Sequence, residues 1–163
     1  MSVSVSYVSQ LTVTEALETN VGDLSDKSIT HSGYNSAASS NAASVPPASK
    51  VAAGQVNMIA GAGSIDLTAL ALGAQGTVVD MTGMRVQFIK VKALAGNANP
   101  ITISKSVANG YDGFGASFSL SLAPGGEMLL RGNDGGNDVA AGNKGLTLAG
   151  TGTQGIALEV VAG

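Results

Sequence analysis

Apolar and polar residues alternate one by one along several short segments of this chain. The clearest case is residues 114–122, where Phe118, Leu120 and Leu122 alternate with three serines. A period of two places the large side chains on one face of a strand and the hydroxyls on the other. The run ends at Pro124-Gly125-Gly126, which is a typical turn sequence. The pattern therefore predicts a half-buried β-strand.

Similar segments recur along the whole chain, with Gly, Asn and Pro between them. The predicted strands are residues 3–8, 11–14, 28–31, 51–59, 64–67, 77–79, 85–94, 101–106, 116–122, 127–131, 146–149 and 156–162. Only residues 67–72 have helical spacing, which predicts a short helical turn. Closely spaced short strands are typical of a sandwich or a barrel. We therefore predict an all-β fold, an antiparallel, jelly-roll-like β-sandwich with an extended N-terminal arm.

The alternation changes phase within residues 85–94, from Val86 and Phe88 to Ile89 and Val91. Such a change predicts a β-bulge, or a central strand covered on both faces. The large apolar residues of the long strands should share one core between two sheets. This predicted core comprises Phe88, Phe118, Leu120, Leu122, Leu148, Leu158 and Val160.

The sequence pattern divides the chain into two regions. Residues 1–50 contain short, interrupted strands and the extended arm, and residues 51–163 form the predicted sandwich domain. Residues 36–44 are all Ser, Ala or Asn and are followed by Val45-Pro46-Pro47. Such a stretch buries too little apolar area to offset its ordering entropy alone. It is either a mobile linker or a strap laid over a neighbouring surface. The whole arm, residues 19–50, carries spaced anchors at Ile29, Tyr34 and Val45, which favours a strap that crosses onto a neighbouring subunit. The alternative is a long surface loop on its own domain.

The composition points away from several classes of function. Charged residues make up 12% of the chain, about half of the usual share, so much of the surface is expected to be covered by other subunits. The alternative is a domain with a neutral surface. A net charge of −3 argues against nucleic-acid binding. No apolar run is long enough to span a membrane, no secretory signal is expected, and the absence of cysteine excludes disulfides.

Candidate chemistry is sparse. His31 is the single histidine and there is no cysteine, so a Cys/His zinc site is excluded and a catalytic triad would depend on His31 alone. We interpret His31 as a surface or interface residue, and we predict no catalytic residue and no cofactor. Asp134 and Asp138 lie in a Gly-rich loop that is a weak calcium candidate, although turn formation also explains it. Tyr34 and Tyr111 lie in predicted loops, where either ring could stack on a sugar.

The C-terminal two thirds resembles small β-sandwich structural proteins of tailed-bacteriophage virions. The resemblance covers roughly residues 54–163 and is carried by four segments: residues 80–90, an Asn-rich turn with residues 101–103, Leu122-Ala123-Pro124-Gly125-Gly126-Glu127, and residues 146–148 with 156–163. Proteins of this type share a hairpin of strand, Pro-Gly-Gly and strand. They are typically head decoration, cement or fibre-base components.

The resemblance implies a non-enzymatic structural protein that stabilises a phage particle through repeated subunit contacts. Its expected partners are other copies of itself, such as in a trimer, and the major capsid protein or another virion protein. No nucleic-acid or membrane partner is expected. The expected location is the virion, after synthesis in the host cytoplasm. The alternative function is a carbohydrate-binding or receptor-binding β-sandwich module of the fibre or spike type.

Overall fold

The computed structural model describes residues 3–17, 27–32, 35–73, 76–132 and 136–163. These residues form β-strands and turns and contain no α-helix. In chain order the strands are β1 (Ser4–Ser9), β2 (Val13–Leu17), β3 (Lys27–His31), β4 (Ser36–Asn41), β5 (Lys50–Asn57), β6 (Ala62–Asp66), β7 (Val86–Ala93), β8 (Ile101–Lys105), β9 (Ser119–Leu122), β10 (Glu127–Arg131), β11 (Gly145–Ala149) and β12 (Gly155–Ala162). The predicted all-β class is confirmed.

Strands β5 to β12 form two four-stranded antiparallel sheets. Sheet I has the order β10-β7-β12-β5, and sheet II has the order β6-β11-β8-β9. Every connection in this part of the chain passes from one sheet to the other, except the one between β8 and β9. Buried apolar side chains from both sheets form one cluster. The arrangement is sandwich-like.

Most of the predicted core lies in this cluster. Leu122, Leu148, Leu158 and Val160 are buried in it, and Phe118 and Leu120 pack against it while remaining partly exposed. The serines of β9 point to the opposite face and are exposed. The alternating pattern of β9 thus gave the correct inward and outward faces.

Phe88 was wrongly assigned to this core. The register of β7 against β12 shifts by one residue, because Val161 lies opposite Phe88 whereas Ala162 lies opposite Val86. The extra residue, Gln87, places Val86 and Ile89 on the inner face and Phe88 on the outer face. The phase change in the sequence therefore marks a β-bulge, as predicted.

Two local predictions differ from the structure. Pro124-Gly125-Gly126 forms a turn, but it joins β9 of sheet II to β10 of sheet I and so does not make a hairpin. Residues 67–72 form no helical turn, because Leu70 exchanges two backbone hydrogen bonds with Val79, at 3.0 and 2.7 Å. Residues 77–79 were predicted as a strand, but they form no strand and contribute this single bridge at Val79.

The first strands form what we call the N-terminal ribbon, strands β1 to β4. β1 pairs with β4 and β2 pairs with β3, both antiparallel, so one pair is nested within the other along the chain. β4, Ser36–Asn41, lies in the small-residue stretch that we predicted to be a linker or a strap. Backbone hydrogen bonds to β1 need no large side chain, which explains how Ser and Ala residues form this strand.

Candidate interaction surface

The outer face of sheet I, the one turned away from the core, carries three rows of side chains that follow from the strand register. The ribbon row comprises Arg131, Phe88, Val161 and Val51. The middle row comprises Leu129, Lys90, Glu159 and Ala53. The charged row comprises Glu127, Lys92, Ala157 and Gln55. Each row runs from β10 across β7 and β12 to β5.

Strand β1 lies across the ribbon row. Val3, Val5 and Tyr7, every second residue, pack against a small buried cluster that contains Phe88 and Val161. The Tyr7 and Phe88 ring centres are 5.8 Å apart. A strand that contacts the sheet with alternate side chains presents its other face, with Ser4, Ser6 and Val8, to solvent.

Arg131 closes this contact at the β10 end. Its guanidinium carbon lies 6.0 Å from the centre of the Tyr7 ring and 5.9 Å from that of Phe88. Such cation–π contacts contribute about 0.5–1 kcal/mol each at exposed sites. The ribbon is therefore attached to sheet I by side chains, and no strand pairing joins β1 to any strand of that sheet.

A groove of about 240 Å³ runs beside β1. Four consecutive residues of β1, from Val5 to Val8, form one wall, and Lys90, Leu129 and Glu159 of the middle row form most of the floor. No residue of β4 lines the groove. The groove therefore follows the edge of β1 that β4 leaves unpaired within the described residues.

The floor of the groove and the charged row beside it carry balanced charge. Glu159 lies opposite Lys90 across the β12–β7 pair, and Glu127 lies opposite Lys92 across the β10–β7 pair. The Glu127 carboxylate is 3.9 Å from Lys90 Nζ and 4.0 Å from Lys92 Nζ. Pairs as exposed as these contribute about 0–1 kcal/mol. They neutralise the surface more than they stabilise the fold.

Residues 8–15, which run from the end of β1 into β2, are uncovered. All residues from 8 to 15 are exposed, including Val8, Leu11 and Val13, at 62%, 73% and 47%. Val13, Thr14 and Glu15 are successive residues of β2 and point to alternate faces, so neither face of β2 is covered there by the described part of the chain. A two-stranded ribbon with no further cover is at best marginally stable in water.

The predicted site residues do not come together. His31 ends β3, where its backbone lies opposite Val13. Tyr34 and Asp134 lie outside the described residues. Asp138 forms an ion pair with Arg85, at 2.9 Å, and no group of three metal-ligating side chains occurs among the residues that the structure describes. The calcium site stays a prediction. The Asp138 carboxylate that it would use is already paired with Arg85.

Tyr111, the possible sugar contact of the alternative function, does not offer its ring to a ligand, because its side chain is fully buried. The Val86 amide donates a hydrogen bond to its hydroxyl at 3.3 Å, and Phe114 packs edge-on, with ring centres 5.2 Å apart. Burial raises the pKa of the hydroxyl. An added Cβ at Gly113 would lie 2.4 Å from the Tyr111 ring, and one at Gly136 3.2 Å from its hydroxyl. These glycines let two loops close over the ring.

A polar network that the sequence did not suggest joins the β7–β8 connection to the β11–β12 connection at one end of the sandwich. The Asn97 side chain makes two hydrogen bonds with the Gly155 backbone, both at 2.9 Å. The Gln154 side chain accepts from the Thr151 amide at 2.8 Å and donates to the Asn99 carbonyl. Asn97 and Gln154 are buried. Since these amides bond to the chain itself, the network is structural.

Asp66 also has a structural role. Lys144 Nζ lies 2.7 Å from its carboxylate, and Thr68 donates two further hydrogen bonds, at 2.9 and 2.6 Å. Partial burial acts to raise the pKa of Asp66, but the hydrogen bonds from Lys144 and Thr68 together hold it below its usual value. The bonds tie the start of the β6–β7 connection to the residue before β11.

No protein-family model, no curated protein and no solved structure matches this chain. The described residues also include no helix with the length and apolar character needed to cross a membrane.

Proposed function

We propose that this chain is a non-enzymatic structural protein of a phage virion, a capsid decoration, cement or other head-associated protein that stabilises the particle through repeated subunit contacts. The observation that carries the proposal is the uncovered segment of the N-terminal ribbon, residues 8–15, which is exposed on both faces. A two-stranded ribbon with exposed apolar residues such as Val8, Leu11 and Val13 gains stability when another subunit covers it. The ribbon then serves as the arm that contacts the neighbouring subunit.

The composition supports a chain built for assembly. Charged residues amount to 12% and apolar residues to 44% of the sequence, where a monomer of this size usually keeps a well-charged surface. A subunit present in many copies buries part of its surface in repeated contacts. The proposed partners are other copies of this chain and a major capsid or other virion protein.

We further propose that the sandwich is a jelly roll. Numbered from β5, sheet I contains the first, third, sixth and eighth strands, and sheet II contains the second, fourth, fifth and seventh. The orders β10-β7-β12-β5 and β6-β11-β8-β9 are those of two interlocked Greek keys. Jelly rolls are common among viral capsid proteins but also among lectins. This topology therefore supports the virion proposal, but it does not by itself distinguish a virion protein from a lectin.

Light scattering of the purified chain, combined with electron microscopy of the phage particle, tests the proposal. We expect a homo-oligomer in solution and repeating density for this chain on the particle. The matched variant replaces residues 10–35 with Asn-Gly, because Ser9 and Ser36 lie opposite each other and a two-residue turn can join them. It should melt at nearly the same temperature as the full chain but lose assembly. A full-length chain that stays monomeric and does not bind particles would contradict the proposal.

A further inference from the structure

We propose that the groove beside β1 is a strand-addition site that receives residues 10–15 of a second copy of this chain. The incoming strand would pair with the unpaired edge of β1 and lie along the middle row of sheet I. This inference rests on the proposed function, since it names the surface through which the subunits contact one another.

The shape of the groove fits an extended strand. One wall is the backbone of β1, whose free edge presents unpaired N–H and C=O groups to a strand laid beside it. The floor runs the same way as β1, because the middle row and the ribbon row both cross the sheet from β10 to β5. A strand added here would extend the β4-β1 pair to three strands and cover the middle row.

The chemistry of the floor fits residues 10–15. Leu129 is the exposed apolar residue of the floor, at 40%. Leu11 lies just before β2, and if residues 10–15 extend as one strand in the groove, Leu11 and Val13 would lie on the same face of it. Residues 10–14 carry no charge, and Glu15 is the last residue of the segment. A strand whose single charge lies at its end suits a floor where Lys90 and Glu159 already balance each other, because its central residues add no unpaired charge to the buried surface.

The same chain does not fill its own groove. Three residues separate β1 from β2, and β2 is paired with β3. β1 and β2 of the same chain belong to separate two-stranded sheets and do not pair with each other in the described structure. A second copy therefore supplies the occupant, and the contact accounts for both the open groove and the uncovered ribbon.

Single cysteines test this contact directly, because the chain contains none. One variant carries Leu129→Cys in the groove, and separate variants carry Leu11→Cys or Val13→Cys in the ribbon. Only mixtures of the groove variant with a ribbon variant should form a disulfide-linked dimer under mild oxidation. Val107→Cys, fully exposed in the β8–β9 connection of sheet II, is the matched control and should cross-link no more with Leu129→Cys than with itself.

A second test uses charge and complementation. Leu129→Asp and Val13→Asp should each weaken self-association roughly tenfold or more, because each places an unpaired charge in the contact. Mixing the two variants should restore a complex, in which the intact ribbon of the Leu129→Asp copy enters the intact groove of the Val13→Asp copy. Val107→Asp is the control and should associate as the unmodified chain does. Thermal melts of all variants verify that each one folds.

The outcomes separate this inference from the proposed function. If Val13→Asp abolishes association while Leu129→Asp does not, and no groove-to-ribbon disulfide forms, the ribbon contacts another surface. The inference is then wrong and the proposed function stands. A full-length chain that neither self-associates nor binds particles overturns both.

Discussion

Replacing Tyr111 with phenylalanine removes one oxygen from the most enclosed aromatic side chain in the described structure. The change leaves the Val86 N–H, whose hydrogen bond to this hydroxyl is 3.3 Å long, without that acceptor. Leaving a buried donor unpaired costs about 1–3 kcal/mol. Because the bond is long, we expect about 1–2 kcal/mol. For a chain of this length, that lowers the melting temperature by about 2–8 °C.

The effect should depend on pH in a definite direction. Burial raises the pKa of Tyr111 above its ordinary value of 10.0. In the unfolded chain the hydroxyl therefore ionises first, so its contribution to stability is fully present below about pH 10. That contribution is lost as the pH rises toward the raised pKa of the folded state. The stability difference between the native chain and Tyr111→Phe should shrink above pH 10, since phenylalanine does not titrate.

Urea unfolding of both chains between pH 7 and pH 11 measures this difference. Tyr7→Phe is the matched control, because Tyr7 is partly exposed on the ribbon, and its change should stay within about 0.5 kcal/mol. If Tyr111→Phe were as stable as the native chain at pH 7, with no change in the difference above pH 10, the hydroxyl would not be buried and bonded as described.

Three further changes test other parts of the structure. Asn97→Ala should cost about 1–3 kcal/mol by urea unfolding, because the Gly155 N–H loses its bond to the buried Asn97 side chain, while the Gly155 C=O keeps the bond from the Leu94 N–H. Lys144→Met should raise the pKa of Asp66, measured by NMR titration, and should cost under about 1 kcal/mol at neutral pH. The native chain loses stability as the pH falls through the lowered pKa of Asp66, and the variant should lose less over the same range. Phe118→Ala should cost about 2–3 kcal/mol, below the 3–5 kcal/mol of a fully buried ring, because Phe118 is only partly buried; a loss of 4 kcal/mol or more in a calorimetric melt would contradict that placement.

Local periodicity correctly predicted the strand features that are determined by neighbouring residues in the sequence. The serines of β9 face outward, and Leu120 and Leu122 face the core, as their alternation indicates. The change of phase in β7 predicted the bulge, but not which residues lie on which side of it. The face to which each residue of β7 points depends on Gln87 being the inserted residue and on β1 covering Phe88. That cover is a contact between residues distant in sequence.

Predictions failed where long-range pairing replaces a local signal. Ser36–Asn41 carries no pattern of its own and forms a strand because β1 lies beside it. Tyr111 follows Asn-Gly, a turn sequence that suggested an exposed loop, yet the loops with Gly113 and Gly136 close over its ring. The groove could not be predicted either, since its wall and floor come from β1, β7, β10 and β12, which meet only in the fold.

The way in which β1 crosses sheet I has a mechanical consequence. The chain enters the sandwich at Lys50, the first residue of the edge strand β5, and Lys50 is paired with Ala162. A pull that arrived there would peel β5 from β12 one residue pair at a time, the direction in which a sheet resists least. The side chains of β1 contact Arg131, Phe88 and Val161, on β10, β7 and β12, so a pull on the ribbon is shared among these three strands before it reaches Lys50. The docked ribbon thus protects the edge strand β5 from being peeled off the sheet when the ribbon is pulled.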